Sequence, residues 1–349
     1  MSWRIVLWPF AQLYGFGIRL RNYFFNKGIL KQEEFDLPVI SIGNLTTGGT
    51  GKTPHVEYLI RLLKDEFKTA VLSRGYGRST KGFRSVRMDS KPDTIGDEPL
   101  QYKRKFPDIT VAVCENRVNG IDRLIFEYQP EVVLLDDAFQ HRYVKPSLNL
   151  LLTEFSKPLF DDHLLPMGNL REPLSEKKRA DAIIVTKCPP AITDDQQADF
   201  INNLSPNANQ KVFFSYIRYG EIVGFKHKKV PDPAQFKDLC ILLVCGIADP
   251  TQLVLHLQQK FRAVKKMIFP DHHQFTITDL KAIGQKFDNI AADYKIIITT
   301  EKDFMRLEDD PILHLPFYYL PIEVDFIANY KTTFNQYILQ HVRKNKADS

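Results

Sequence analysis

Gly43-Asn44-Leu45-Thr46-Thr47-Gly48-Gly49-Thr50-Gly51-Lys52-Thr53-Pro54 decides the fold. An apolar run, Val39-Ile40-Ser41-Ile42, precedes it and reads as a buried strand. Val56, Leu59, Ile60 and Leu63 follow at the spacing of one helix face. Strand, glycine-rich loop, Lys-Thr and helix form the layout of a phosphate-binding P-loop. Glycines let backbone N–H groups close around phosphate oxygens, and the helix N-terminus adds partial positive charge. Lys52 supplies a full charge, and the Thr53 hydroxyl can ligate Mg²⁺. Pro54 suits a first helical turn, where its missing N–H costs little. The match to G-x-x-x-x-G-K-[ST] is imperfect, because Thr46 stands where the first glycine belongs. The remaining loop residues expected to cradle phosphates are Thr47, Gly48, Gly49, Thr50 and Gly51.

A second element fits the first. Val132-Val133-Leu134-Leu135 is a short apolar run ending in Asp136-Asp137. A carboxylate at the end of a neighbouring strand holds Mg²⁺ or its water shell in P-loop proteins. Within one domain's length of the loop, the acidic pair reads as the metal site.

The chain has 349 residues, enough for two domains or one large α/β domain. Further strands read at 70–72, 111–113, 148–152 and 182–185, with helices between most of them. Alternating β and α units predict a doubly wound, mainly parallel sheet of the P-loop NTPase kind. Residues 211–217 and 221–227 flank Arg218-Tyr219-Gly220 and read as a hairpin. The expected organisation is a helix over 1–30, a P-loop lobe over 31–212, a hairpin linker over 213–228 and a smaller α/β lobe over 229–349.

A net charge of +5 favours anionic partners without demanding nucleic acid, and none is expected. Four widely spread cysteines lack a C-x-x-C pair, which argues against a zinc site and a disulfide framework. Residues 1–32 carry Arg4, Arg19, Arg21, Lys27 and Lys31 and no acid, and both tryptophans, Trp3 and Trp8, fall there. The apolar stretch 5–18 is shorter than the about 20 residues of a spanning helix. On a helical wheel Arg4, Gln12, Gly15, Arg19, Asn22 and Asn26 share one sector, while Phe10, Tyr14, Ile18 and Phe25 lie elsewhere. Aromatic, basic and amphipathic, this segment reads as a helix lying in a membrane interface. The competing reading is a helix packed on its own domain.

A P-loop does not separate kinase from GTPase or motor. Thr186-Lys187-Cys188-Pro189 begins like the guanine-reading [NT]-K-x-D and fails at Pro189, which argues for ATP. A kinase also needs a base for its acceptor hydroxyl. Asp97 in Gly96-Asp97-Glu98-Pro99, Asp271-His272-His273 and His141 are candidates. Arg171 in Arg171-Glu172-Pro173 offers charge for a transferred phosphoryl group. An ATPase switch that docks on membranes is the rival class, and it would need neither Asp97 nor His272.

Together with Ser73-Arg74-Gly75-Tyr76-Gly77-Arg78, Leu135 to Arg142, Cys245-Gly246-Ile247-Ala248 and Thr299 to Asp303, these segments resemble the tetraacyldisaccharide 4′-kinase family in order over almost the whole chain. The resemblance implies ATP- and Mg²⁺-dependent phosphorylation of the 4′-hydroxyl of a tetraacylated glucosamine disaccharide 1-phosphate. It implies a monomer working at the cytoplasmic face of the bacterial inner membrane. Asp97 would be the base and His272 its partner. Lys52 and Thr53 would handle phosphates and metal, Asp136, Asp137 and Glu172 the metal, and Arg171 the phosphoryl group.

Overall fold

The computed structural model describes residues 3–225, 229–271, 273–307, 314–328 and 330–347. Its strands are β1 (Val39–Asn44), β2 (Thr69–Ser73), β3 (Arg84–Ser85), β4 (Thr110–Val113), β5 (Val132–Asp136), β6 (Leu148–Glu154) and β7 (Ala182–Thr186). They continue as β8 (Lys211–Tyr219), β9 (Val223–Gly224), β10 (Cys240–Cys245), β11 (Ala263–Ile268), β12 (Lys295–Thr300), β13 (Phe317–Leu320) and β14 (Ile322–Phe326). The larger sheet runs β14-β8-β7-β6-β1-β5-β2-β4-β3, and the smaller runs β11-β10-β12-β13-β9.

In the larger sheet β4, β2, β5, β1, β6, β7 and β8 are parallel neighbours, and β3 closes one edge antiparallel to β4. β1 lies between β5 and β6 and is buried along its whole length. That suits a central parallel strand covered on both faces. Its side chains alternate between two cores. Ile40 and Ile42 join Val56, Leu59, Ile60 and Leu63 of the helix Lys52–Leu63, while Val39 joins Ala70, Leu72 and Val133 on the other face. Each such aliphatic side chain taken out of water contributes about 1.5–3 kcal/mol. The apolar spacing of that helix is therefore what fixes the end of the P-loop against the sheet.

The chain divides into one unit of Met1–Arg218 with Val324–Ser349 and a second of Tyr219–Glu323. The boundary at 218 falls inside the expected linker, but the C-terminal lobe ends earlier than residue 349. Phe326, Phe334, Ile338 and Val342 lie in the larger unit's core beside Phe213, so the last helix, Tyr330–Ala347, belongs there. The expected hairpin is also corrected. β8 pairs with β7 in the larger sheet and β9 with β13 in the smaller one, and residues 226–228 lie outside the described residues. Two consecutive β-prone runs carry the same local signal whether they pair with each other or with distant strands. The smaller unit builds its own core from residues such as Leu242, Val244, Ile283 and Ile297.

Candidate active site

β1 and β5 pair with Ile42 opposite Asp136, so their carboxyl ends finish side by side. Open α/β sheets bind ligands at such ends. Gly43 must be glycine, because a Cβ there would meet the Phe139 backbone nitrogen at 2.8 Å. Gly51 caps the following helix in the left-handed region, φ 87°, where glycine costs least. Thr46, the departure from the P-loop pattern, forms an antiparallel bridge with Leu170. Extended backbone accepts any side chain, so the position has no call for glycine. Neighbouring bonds, Thr47 N–H to the Asn169 carbonyl (2.8 Å) and Arg171 N–H to the Leu45 carbonyl (2.7 Å), lace the loop's first half to segment 169–171.

That lacing brings Arg171 onto the site. Its guanidinium grips Asp137 through both nitrogens (2.9 and 3.3 Å) and donates to the Asn44 carbonyl (3.1 Å) and to Asn44 Oδ1. Lys52 Nζ lies 3.6 Å from Asp137 and 3.4 Å from Asn44 Oδ1. Lys52, Asp137 and Arg171, far apart in sequence, are thus one network. Asn44 joins it, unpredicted from sequence, where its only signal is its place at the strand end.

The two neighbouring carboxylates differ sharply. Burial acts to raise the Asp137 pKa, but the Lys52 and Arg171 charges outweigh it and hold the group down at about 2. Burial pushes Asp136 up to about 7, and the Glu98 and Asp137 charges push the same way against Lys52. Asp136 Oδ2 accepts the Ser73 hydroxyl (3.1 Å), while its buried Oδ1 has no hydrogen-bond partner among the described residues. An orphaned buried carboxylate oxygen is costly unless a cation or water meets it. Thr53 Oγ1 donates to Glu98 Oε1 (3.2 Å), which brings a third carboxylate towards the loop's end. Glu98 was missed from sequence, although it adjoins Asp97. Asp97 is buried and opens the helix Asp97–Lys105 after Gly96.

Three other expected residues are placed differently. Glu172 is buried, with Arg179 bonded to one oxygen and Arg21 3.5 Å from the other. Arg179 also pairs with Glu176 at 2.9 Å and lies over the Phe139 ring. Glu172 is therefore engaged in an ion cluster, while its Oε1 has no hydrogen-bond partner among the described residues. His273 stacks on Phe269 and bonds Asp279 (3.0 Å), whose carboxylate completes a helix cap. His272 lies outside the described residues. Burial, with the Arg117 and Arg74 charges, lowers His141 to about 4.

The N-terminal helix, Trp8–Asn26, touches this region with one face. Tyr14 donates to the Arg171 carbonyl (2.8 Å) and Arg21 to the Gln140 carbonyl (2.8 Å). Arg142 reaches back to the Asn22 carbonyl and Asn26 Oδ1. Gly15, Asn22 and Phe25 are buried, so the expected polar and apolar sectors both contribute to packing. The exposed apolar stripe lies instead on Val6 (75% exposed), Phe10, Leu13 (72%), Phe16 and Leu20.

The sequence profile of the family described as tetraacyldisaccharide-1-P 4′-kinase (LpxK) matches residues 3–343. The tetraacyldisaccharide 4′-kinase of Phocaeicola vulgatus is 44% identical over 98% of this chain and 96% of its own length. That of Flavobacterium johnsoniae is 45% identical over 98% of each. The crystal structure of "apo" form LpxK from Aquifex aeolicus in complex with ATP superposes with a TM-score of 0.75 at 30% identity, covering 98% of this chain and 100% of that one.

Proposed function

Because the chain belongs to the tetraacyldisaccharide 4′-kinase family and has its α/β P-loop fold, we propose that the Asn44, Lys52, Asp137 and Arg171 network is where it handles the phosphates of ATP. The enzyme is an ATP-dependent kinase that phosphorylates the 4′-hydroxyl of an acylated glucosamine disaccharide 1-phosphate in lipid A biosynthesis. The observation that carries the site assignment is the junction of Lys52 and Arg171 on one carboxylate at the mouth of the P-loop. Two cations held by Asp137 are preorganised, so they need not be gathered when charge redistributes over the transferred phosphoryl group.

Backbone N–H groups of Gly48, Gly49, Gly51 and Lys52 cradle the phosphates, with the Lys52 and Thr53 side chains closing the cradle. The Thr53 hydroxyl and Asp136 offer oxygen ligands of the kind Mg²⁺ takes, and the orphaned Asp136 oxygen fits that role. Mg²⁺ bound there supplies charge neutralisation of the phosphates. Asp97 accepts the 4′-hydroxyl proton. What supports Asp97 is its place next to Glu98, the carboxylate bonded to Thr53. Transfer of labelled phosphate from ATP to tetraacyldisaccharide 1-phosphate tests this. Asp97→Ala should cut kcat by about 10²–10⁴-fold while ATP affinity holds. Equal turnover would remove Asp97 as the base.

The acylated substrate calls for work at a lipid surface. No helix among the described residues is long and apolar enough to cross a membrane. The exposed stripe of the N-terminal helix, with Arg4, Arg19 and Lys27 also exposed, suits the interface of an anionic bilayer on the cytoplasmic side. The enzyme works there as a monomer. Leu13→Glu/Phe16→Glu should weaken cosedimentation with anionic vesicles and leave the melting temperature in place. Undiminished vesicle binding by the folded variant would place the contact elsewhere.

A further inference from the structure

The back of the P-loop is braced by residues that take no part in the network above. His55 is buried in the first turn of the Lys52–Leu63 helix. Its Nδ1 lies 2.7 Å from the Gly51 carbonyl oxygen, and its Nε2 lies 3.0 Å from Ser215 Oγ on β8. A carbonyl can only accept, so Nδ1 carries the proton. Nε2 then keeps its lone pair and accepts from the Ser215 hydroxyl, whose other acceptor in reach, the Val185 carbonyl, is farther at 3.2 Å. The tautomer follows from the partners. A second brace stands beside the first. Thr186, fully buried at the end of β7, donates from Oγ1 to the Thr50 carbonyl at 2.9 Å. The Thr153 carbonyl, the other acceptor in reach, is farther at 3.3 Å. Thr186 opens the Thr-Lys-Cys-Pro turn whose resemblance to a guanine-reading motif breaks down at Pro189. The same turn is tied to Ser215 by the Cys188 N–H (3.0 Å).

Two successive peptide groups are thereby held by their oxygens. In a trans peptide the N–H points opposite to its C=O. Fixing the Thr50 carbonyl aims the Gly51 N–H away from Thr186, and fixing the Gly51 carbonyl aims the Lys52 N–H away from His55. An anion cradle works only if every peptide in it keeps this sense, since one flipped peptide presents an oxygen to a phosphate. Gly51 is the residue most free to flip. At φ 87° it has no Cβ to hold it, and glycine moves between backbone regions at little cost.

We infer that His55 and Thr186 are positioning residues for the nucleotide, holding the Gly51 and Lys52 N–H groups towards the phosphates from behind the loop. This rests on the assignment of the loop to ATP phosphates. The binding of ATP depends on these braces; recognition of the lipid acceptor does not.

The test compares ATP affinity, read by displacement of a fluorescent ATP analogue, with the KM values for ATP and for tetraacyldisaccharide 1-phosphate. His55→Leu fills the space without a donor and should weaken ATP about tenfold, with the lipid KM within about twofold. His55→Asn restores a donor near the Nδ1 position and should recover to within about threefold of the parent. Thr186→Val should weaken ATP about threefold to tenfold through the other peptide. Lys52→Ala is the reference. A folded His55→Leu that binds ATP like the parent overturns the inference, as does an Asn variant no better than Leu. If His55→Leu loses its cooperative melt, Thr186→Val decides alone, and unchanged ATP affinity there overturns it. Weakening by Lys52→Ala alone sinks only the braces. Unchanged ATP binding in all of them sinks the loop assignment too.

Discussion

Two carboxylate clusters flank the loop that follows β5, and they are built to opposite ends. Around Glu172 arginines gather: Arg179 bonds one oxygen, Arg21 lies 3.5 Å from the other, which has no hydrogen-bond partner among the described residues, and Arg179 is shared with Glu176 and laid over Phe139. Burial raises the Glu172 pKa, with Arg179 and Arg21 working against the shift. Around Asp136 the account is left open. One oxygen takes the Ser73 hydroxyl, the other has no hydrogen-bond partner among the described residues, and burial pushes the group up to about 7. A carboxylate ringed by arginines serves architecture, because adding a cation would compete with the arginines for it. A carboxylate with spare acceptor capacity in a buried place is held in readiness for a cation.

The comparison can be broken by substitution. Lys52→Ala should have the largest effect, about 10²–10³-fold in kcat/KM, because it removes the cation between the open cluster and the phosphates. Near-parental turnover by a folded variant would detach that cluster from the chemistry. Asp136→Ala should raise the Mg²⁺ concentration for half-maximal activity by about tenfold or more. An unmoved titration would mean that the orphaned oxygen has another purpose. Glu172→Gln should do the reverse. It leaves Arg179 with Glu176 alone and costs about 2 kcal/mol of stability, visible as a lower urea midpoint, with the Mg²⁺ titration unchanged. A shifted titration would return Glu172 to the metal. Smallest of the set, Glu176→Gln should cost about 1 kcal/mol, since Arg179 keeps Glu172. A loss as large as that of Glu172→Gln would show that the cluster works as a single unit.

Much of this was legible in the chain. Strand, loop and helix around Lys52 follow from local chemistry: apolar runs, glycines at tight positions and one helix face. The acidic pair could be read because it ends an apolar run within reach of the loop. Glu172 could not, because Arg-Glu-Pro spells the same whether its carboxylate meets a metal or a distant Arg179 and Arg21. Glu98 was hidden by its neighbour Asp97, since two adjacent acids give no hint of which one bends towards Thr53. The return of residues 324–349 to the larger unit was hidden as well. Phe334, Ile338 and Val342 give a helix face but not the core it enters. Braces such as Thr186 lie further still from sequence reading, because a buried threonine at a strand end is ordinary until its acceptor is known to be a P-loop carbonyl.

The N-terminal helix has a practical consequence. Tyr14 and Arg21 hold the carbonyls of Arg171 and Gln140, so the helix proposed to meet the lipid surface is also a buttress of the Arg171 network. Trimming the first 26 residues would therefore disturb far more than the exposed stripe. It would expose Phe25's packing surface and release the backbone that aims Arg171. The outer stripe, Leu13, Phe16 and Leu20, is better altered by substitution, with the inner face left as it is.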